Sequence, residues 1–330
     1  MEIRNIVYFD KAPLEFVKIM EDAAPAGYKV WCWDNMSEEE QNAVWPIIDY
    51  FLILSRPATR ELMACAPRLR LVQRTGIGYT NVDAVAAKER NIPVAVIPGG
   101  NSVAVAEHTM LLILAVYRHL TELSLLTKQG QWPNFKFRLS SRNLQGKTLG
   151  LLGFGAIGRE VAKRARAFDA NVVYYDPFRA TPQVEAASNV TYMEFEEVLR
   201  CADVVSLHMP LVESTKNIIA KPQLEMMKDG AILINTARGG LVCEADLFEA
   251  LASGKLAGAG LDSMVGEPVQ EVRPIYSLEN VIVTPHAAAA NLDNFDHCVR
   301  LAIENIVMAD QTGQPKNVVN GVELLPTIAP

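Results

Sequence analysis

Short apolar, β-branched runs alternate with helix-length segments along the first hundred residues. Positions 3–7, 29–33, 50–54, 70–73 and 93–97 read as strands, with room for a helix between most of them. Such alternation is the pattern of βαβ units and predicts parallel sheets covered by helices. Pro98, Gly99 and Gly100 then interrupt it. Asn101 or Ser102 can cap a helix that the run VAVAEHTMLLILAVY carries to about Thr127. A helix apolar nearly all round must be covered by protein on both faces. A polar, turn-rich stretch follows at 129–145, with Trp132, Phe135 and Phe137 set among Lys136 and Arg138. The alternation then restarts. Strands are expected at 148–152, 172–175, 204–207, 231–234, 258–261 and 281–283, a helix from Ala156, and a long last helix over 291–311. This is the pattern of an α/β chain with two doubly wound parallel-sheet domains. Ligands of such sheets sit at strand carboxyl ends, here in an interdomain cleft.

Composition narrows the class. Half of the 330 residues are apolar and 21% are charged, with 20 glycines and 18 prolines, so the chain is neither disordered nor collagen-like. A net charge of -7 argues against a phosphate-backbone footprint, and no nucleic-acid partner is expected. The five cysteines (Cys32, Cys65, Cys201, Cys243, Cys298) are scattered and form no C-x-x-C pair. They fit a reducing compartment better than a disulfide frame or a zinc site. The N-terminal MEIRNIVYFD turns acidic before any long apolar run, unlike a secretory signal. The longest strongly apolar stretch, 109–117, is short of a membrane span. The expectation is a soluble, cytoplasmic globular protein without a membrane partner.

Gly153-Phe154-Gly155-Ala156-Ile157-Gly158 has the form G-x-G-x-x-G. Alone the pattern is weak. Here the strand TLGLL precedes it, the helix REVAKRARAF follows, and Asp176 lies 18 residues after Gly158 at the end of VVYYD. In that context the first glycine permits the tight turn, the second admits a pyrophosphate to the backbone, and the third lets helix pack on strand. The helix N-terminus offers unpaired N–H groups and a positive dipole end to the phosphates. Asp176 can accept hydrogen bonds from ribose hydroxyls and would repel a 2′-phosphate. NAD is the expected cofactor, with Arg179 nearby as the residue that pulls towards NADP.

Three ionisable residues follow expected strands. Arg238 stands in NTARGG, Glu267 in LDSMVGEP and His286 in VIVTPH. Strand-end loops deliver side chains to the ligand of a parallel sheet, so all three can converge beside a nicotinamide. A guanidinium for a carboxylate, an imidazole for a proton, and a carboxylate to hold that imidazole make a workable set. Read singly, each is an ordinary surface or turn residue.

The words GFGAIG, YYDP, LHMPL, NTARGG, LDSMVGEP and NVIVTPHAA, in this order and spacing, resemble the D-specific 2-hydroxyacid dehydrogenases. QRTGIGYTNVD and GGNSVAVAEHT extend the resemblance over almost the whole chain. That family includes phosphoglycerate dehydrogenases, glyoxylate/hydroxypyruvate reductases and D-lactate dehydrogenases. The resemblance implies a flavodoxin-like substrate domain at 1–101 and 292–330, and a Rossmann-like NAD-binding domain at 102–291. It assigns Arg238, Glu267 and His286 to the catalytic trio, with Arg238 and His286 also touching substrate. It assigns the backbone N–H groups of Gly76, Ile77 and Gly78 to the substrate carboxylate. Besides the glycines Gly153, Gly155 and Gly158, it assigns Thr109, Ala156, Ile157, Asp176, His208, Pro210, Thr236, Ala237 and Asp262 to the cofactor. It also implies a homodimer joined through the nucleotide domain.

Some positions depart from the family pattern. Asn291 follows AAAA where a Thr is common, and SMVGEP replaces an aromatic-acidic run, although Glu267-Pro268 is intact. Glu267 separates the chain from the formate dehydrogenase branch, which has Gln there. The chain ends near 330, so the regulatory domain of many phosphoglycerate dehydrogenases is not expected. His108 reads as a packed, hydrogen-bonded core histidine. His297 and Cys298 lack further ligands at metal spacing, and no metal is expected. Ser55 and Ser102 lack a nucleophile-elbow word, which excludes acyl transfer. Trp132, Lys136 and Arg138 read as an arm to a neighbouring subunit or as a plain surface loop.

The expected activity is hydride transfer between NAD(H) and a small D-2-hydroxy or 2-oxo acid, with glyoxylate or hydroxypyruvate favoured. Arg56 and Arg74, beside the carboxylate loop, read either as a second anion site or as structural arginines. The first reading points to a short 3-phosphoglycerate dehydrogenase. An NAD-dependent corepressor-like scaffold is the alternative from another class.

Overall fold

The computed structural model describes residues 3–326. The chain divides into two compact units, Met1–Asn101 with Asn291–Pro330, and Ser102–Ala290. In the first, β1 (Arg4–Tyr8), β2 (Tyr28–Cys32), β3 (Tyr50–Ile53), β4 (Leu71–Arg74) and β5 (Val94–Ala95) are parallel, ordered β2-β1-β3-β4-β5. This is the flavodoxin-like order, with its switch point between β1 and β3. A parallel sheet is covered on both faces, so its central strands are continuous apolar runs. Tyr50, Phe51, Leu52 and Ile53 are all fully buried.

The helix Leu292–Thr312 returns the chain to this unit. Asn291 starts it, its Oδ1 accepting the Asn294 N–H at 2.8 Å. That bond gives the residue an evident local use, and it places Asn291 with the first unit rather than the second. Phe295, Val299, Ala302, Ile303 and Ile306 pack into one core with Ile6, Tyr8 and Leu52. Towards the helix C-terminus, Asp310 accepts from the hydroxyls of Tyr50 (2.6 Å) and Tyr28 (2.9 Å), from Arg4 Nε (3.2 Å), and from Arg70. Burial alone would raise its carboxyl. The hydrogen bonds from Tyr50, Tyr28 and Arg70 and the charge on Arg4 outweigh that and hold it below its usual value.

In the second unit, β6 (Thr148–Leu152), β7 (Asn171–Tyr175), β8 (Thr191–Tyr192), β9 (Val204–Leu207), β10 (Ala231–Asn235), β11 (Leu256–Leu261) and β12 (Val281–Val283) form one parallel sheet. Its order, β8-β7-β6-β9-β10-β11-β12, is the Rossmann arrangement with β12 added at one edge. The two-residue β8 is not anticipated by the sequence pattern, because so short a strand carries no period. The helix expected to reach Thr127 is broken. It runs as Ser102–Tyr117 and Leu120–Lys128, bent by 64°. His119 takes a left-handed conformation there (φ 47°), its ring stacked 4.3 Å from Phe137 and 3.0 Å from Ser140 Oγ. Among the described residues no single helix is long and apolar enough to cross a membrane.

Removing the charge of Asp310 leaves two guanidinium groups without their shared partner. Asp310→Asn is expected to destabilise the first unit by about 3 kcal/mol, read by urea unfolding. A loss under 1 kcal/mol would show that the returning helix is held by its apolar face alone.

Candidate active site

The glycine loop is built as its spacing requires. Gly153 has φ 105°, and a Cβ there would lie 2.6 Å from the His208 carbonyl. A Cβ on Gly158 would lie 2.4 Å from the Gly153 oxygen, while Gly155 faces open space. The N–H groups of Gly155, Ala156 and Ile157 bond to none of the described residues, leaving a cradle for an anion at the helix N-terminus. Asp176 accepts from the N–H of Phe154 (2.8 Å) and of Phe178 (2.9 Å). Its carboxylate is thereby tied to the glycine loop. Arg179 is engaged elsewhere, paired with Glu185 at 2.8 and 3.0 Å. The residues therefore fit a dinucleotide with free ribose hydroxyls.

The trio stands where three adjacent strands end. Asn235, Leu261 and Val283 are in register across β10, β11 and β12. Arg238, Glu267 and His286 follow them within a few residues. His286 Nδ1 lies 2.6 Å from Glu267 Oε2, and Glu267 Oε1 accepts the Met264 N–H at 2.6 Å. The Glu267 loop is braced by Arg273, which donates to Val265 O (2.7 Å) and Glu244 (2.8 Å). Arg238 is exposed, with one N–H given to Ala237 O at 2.7 Å. Gly239 joins its loop to that of Glu267, since a Cβ there would come within 2.1 Å of the Met264 carbonyl carbon. The motif NTARGG contains this glycine, but nothing in its spacing reveals which backbone it must pass.

Asp262, Thr109 and Thr236 are buried. Asp262 accepts from Thr284 Oγ1 (2.6 Å) and from the N–H groups of Ala287 (2.8 Å) and Ala288 (2.9 Å). Thr109 donates to Val105 O at 2.8 Å and lies 2.9 Å from Thr236 Oγ1. Ala237 is half-buried and Pro210 exposed. His108, expected as a hydrogen-bonded core histidine, lies 3.0 Å from Thr284 Oγ1. Among the described residues no group of three or more His, Cys, Asp or Glu is placed to hold a metal.

In the first unit, Arg74 shapes the loop of Gly76, Ile77 and Gly78. It donates to Gly78 O (2.7 Å), Ile53 O (3.0 Å) and Leu54 O. Gly76 O is taken by Ile97 N–H at 3.1 Å, while the three N–H groups bond to none of the described residues. Burial pushes the Arg74 guanidinium down to about 10. Arg56 pairs with Asp34 at 3.0 Å. Neither arginine stands free.

A family model described as D-isomer specific 2-hydroxyacid dehydrogenase, NAD binding domain, matches residues 110–288. The chain is 40% identical over 263 residues to a hydroxypyruvate reductase from Thermotoga maritima, 79% of this chain and 84% of that one. It is 38% identical over 307 residues to a D-3-phosphoglycerate dehydrogenase from Archaeoglobus fulgidus, 92% of this chain but 56% of that one. The chain thus spans little more than half of that relative. Among solved structures, the NAD-complexed D-isomer specific 2-hydroxyacid dehydrogenase from Lactobacillus delbrueckii ssp. bulgaricus is similar at a TM-score of 0.80 and 27% identity, covering 96% and 99% of the two chains.

His208 generates a test of the site's electrostatics. Part of the residue reaches the surface, but Nε2 lies 2.8 Å from the fully buried Ser206. Burial pushes the ring down to about 3, against ~6.5 when free. Between those values the unfolded chain binds a proton that the folded protein refuses. The stabilisation is full above pH ~6.5 and is lost as pH falls. In the cofactor-free protein, the fall in unfolding free energy from pH 7 to 5 should be about 1–2 kcal/mol smaller in His208→Gln. Identical pH dependences would contradict a buried, neutral ring.

Proposed function

The chain belongs to the D-isomer specific 2-hydroxyacid dehydrogenases, and we propose that it interconverts a small 2-oxo acid, glyoxylate or hydroxypyruvate, with its D-2-hydroxy acid. The observation that carries this reading is the His286–Glu267 pair at 2.6 Å. One ring nitrogen is held by a carboxylate, leaving the other to exchange a proton with the substrate oxygen. NAD(H), when bound, supplies or accepts the hydride. In reduction, protonated His286 donates to the carbonyl oxygen as it becomes a hydroxyl, and Glu267 stabilises the imidazolium. Arg238 holds the carboxylate and stabilises charge developing on the reacting oxygen. Assignment of the N–H groups of Gly76, Ile77 and Gly78 to that carboxylate belongs to the same proposal. Their lack of partners among the described residues supports it.

The engagement of Arg56 and Arg74 favours a small acid over a phosphorylated one. The D-3-phosphoglycerate dehydrogenase relative keeps 3-phosphoglycerate as the second reading. A homodimer in the cytoplasm is part of the proposal. Leu111, Leu120, Leu125, Trp132 and Phe135 are large exposed apolar residues of the nucleotide-binding unit, which supports an interface there.

NADH oxidation with a panel of 2-oxo acids tests the activity. Turnover of none of them would leave the scaffold reading standing. A phosphohydroxypyruvate kcat/KM more than tenfold above that of hydroxypyruvate would reverse the substrate choice, and equal efficiency with NADPH would overturn the cofactor preference. His286→Gln should lower reduction by about 10²–10⁴-fold while NADH binding persists. Reduction consumes a proton from His286 and oxidation returns it, so the two rates should run in opposite directions with pH. Leu111→Glu should give a monomer in sedimentation equilibrium; an unchanged mass would place the interface elsewhere.

A further inference from the structure

His286 occupies an unusual backbone state for its chemistry. Its φ is 52°, in the left-handed region that residues with a Cβ enter only when their surroundings hold them there. The surroundings here are Asp262. The His286 N–H donates to Asp262 O at 2.9 Å, and the next two N–H groups, of Ala287 and Ala288, reach the two carboxylate oxygens. Thr284, two residues before the histidine, donates to the same carboxylate at 2.6 Å.

The direction of each bond follows from the groups available. An ionised carboxylate only accepts, so the single Thr284 hydroxyl proton goes to Asp262. Thr284 Oγ1 must then accept from its other neighbour, His108 Nε2, at 3.0 Å. His108 Nε2 also lies 3.5 Å from Asp262 Oδ1. The ring is mostly enclosed, its side chain 15% exposed, on the helix Ser102–Tyr117. A chain of donors therefore runs from that helix to the loop of the proposed acid–base residue.

We infer that His108 is a positioning residue: as an Nε2–H donor it fixes Thr284 and Asp262, and so aims His286 at Glu267. The inference rests on the proposed role of His286, but the wiring itself is readable without turnover. His108 touches none of the reacting groups.

Long-range 1H–15N spectra of the histidine side chains, at a pH where the rings are neutral, test it directly. His108 should appear as the Nε2–H tautomer and His286 as the Nδ1–H tautomer, bonded to Glu267. In His108→Leu the His286 signal should move towards the mixed tautomers of a free imidazole. The kcat for 2-oxo acid reduction should fall about tenfold, with the NADH Kd within twofold. His108→Gln, whose amide N–H can replace Nε2–H, should restore both readouts. If either His108 variant fails to fold, Thr284→Val and Thr284→Ser form the equivalent pair, with the serine restoring. An Nδ1–H tautomer at His108 overturns the inference. So does an unmoved His286 spectrum in His108→Leu, or a glutamine variant no better than leucine. If the wild type reduces no 2-oxo acid, the functional reading falls while the spectra still decide the wiring.

Discussion

A carboxylate taken out of water costs several kcal/mol unless hydrogen bonds replace its hydration. Asp262, 1% exposed, meets that requirement with the segment that follows β12. The segment cannot satisfy the carboxylate with an extended backbone; it must turn sharply so that consecutive N–H groups converge. That turn sets His286 at positive φ, a state costing of order 1 kcal/mol for a residue with a Cβ. The strain is tolerable because releasing it would strand a buried charge. The backbone turn that presents His286 is thus a by-product of burying a different acid.

The same economy recurs in the first unit. Asp310 is the acceptor shared by Tyr28, Tyr50, Arg4 and Arg70, residues from three strands and a loop. It ties the returning helix to strand residues that lie 260 to 306 positions earlier in the chain. Apolar packing through Phe295 and Val299 is non-directional and would tolerate a slip of the helix. The directional bonds at Asp310 remove that freedom.

Legibility in the sequence followed the range of the forces involved. The strands at 148–152, 204–207 and 281–283 were readable to the residue, because a buried parallel strand is a local run of apolar side chains. The glycine loop was readable because the spacing of its three glycines between a strand and a helix is itself local, with Gly153 and Gly158 at close backbone approaches and Gly155 open. The order Arg238, Glu267, His286 followed from strand ends, and the resemblance supplied their roles. What escaped was set by distant contacts. The break at His119 depends on Phe137 and Ser140, which lie beyond the next helix. The link from His108 to Thr284 joins residues 176 positions apart. A carboxylate written as LD at a strand end gives no sign that, as at Asp262, it gathers the segment after the neighbouring strand.

Substrate identity is harder to read than reaction class for a related reason. The reacting centre of every 2-hydroxy acid is the same, so its chemistry can be written in a few side chains that sequence records. The proposed carboxylate site adds little discrimination, because backbone amides such as those of Gly76, Ile77 and Gly78 have no side-chain signature. Arg56 and Arg74, read from sequence as a second anion site or as structural arginines, hold carbonyls and an aspartate within the first unit. Their counts and positions in the sequence are the same in either role. Only the geometry distinguishes an arginine left open to solvent from one that, like Arg74, shapes a loop of its own unit.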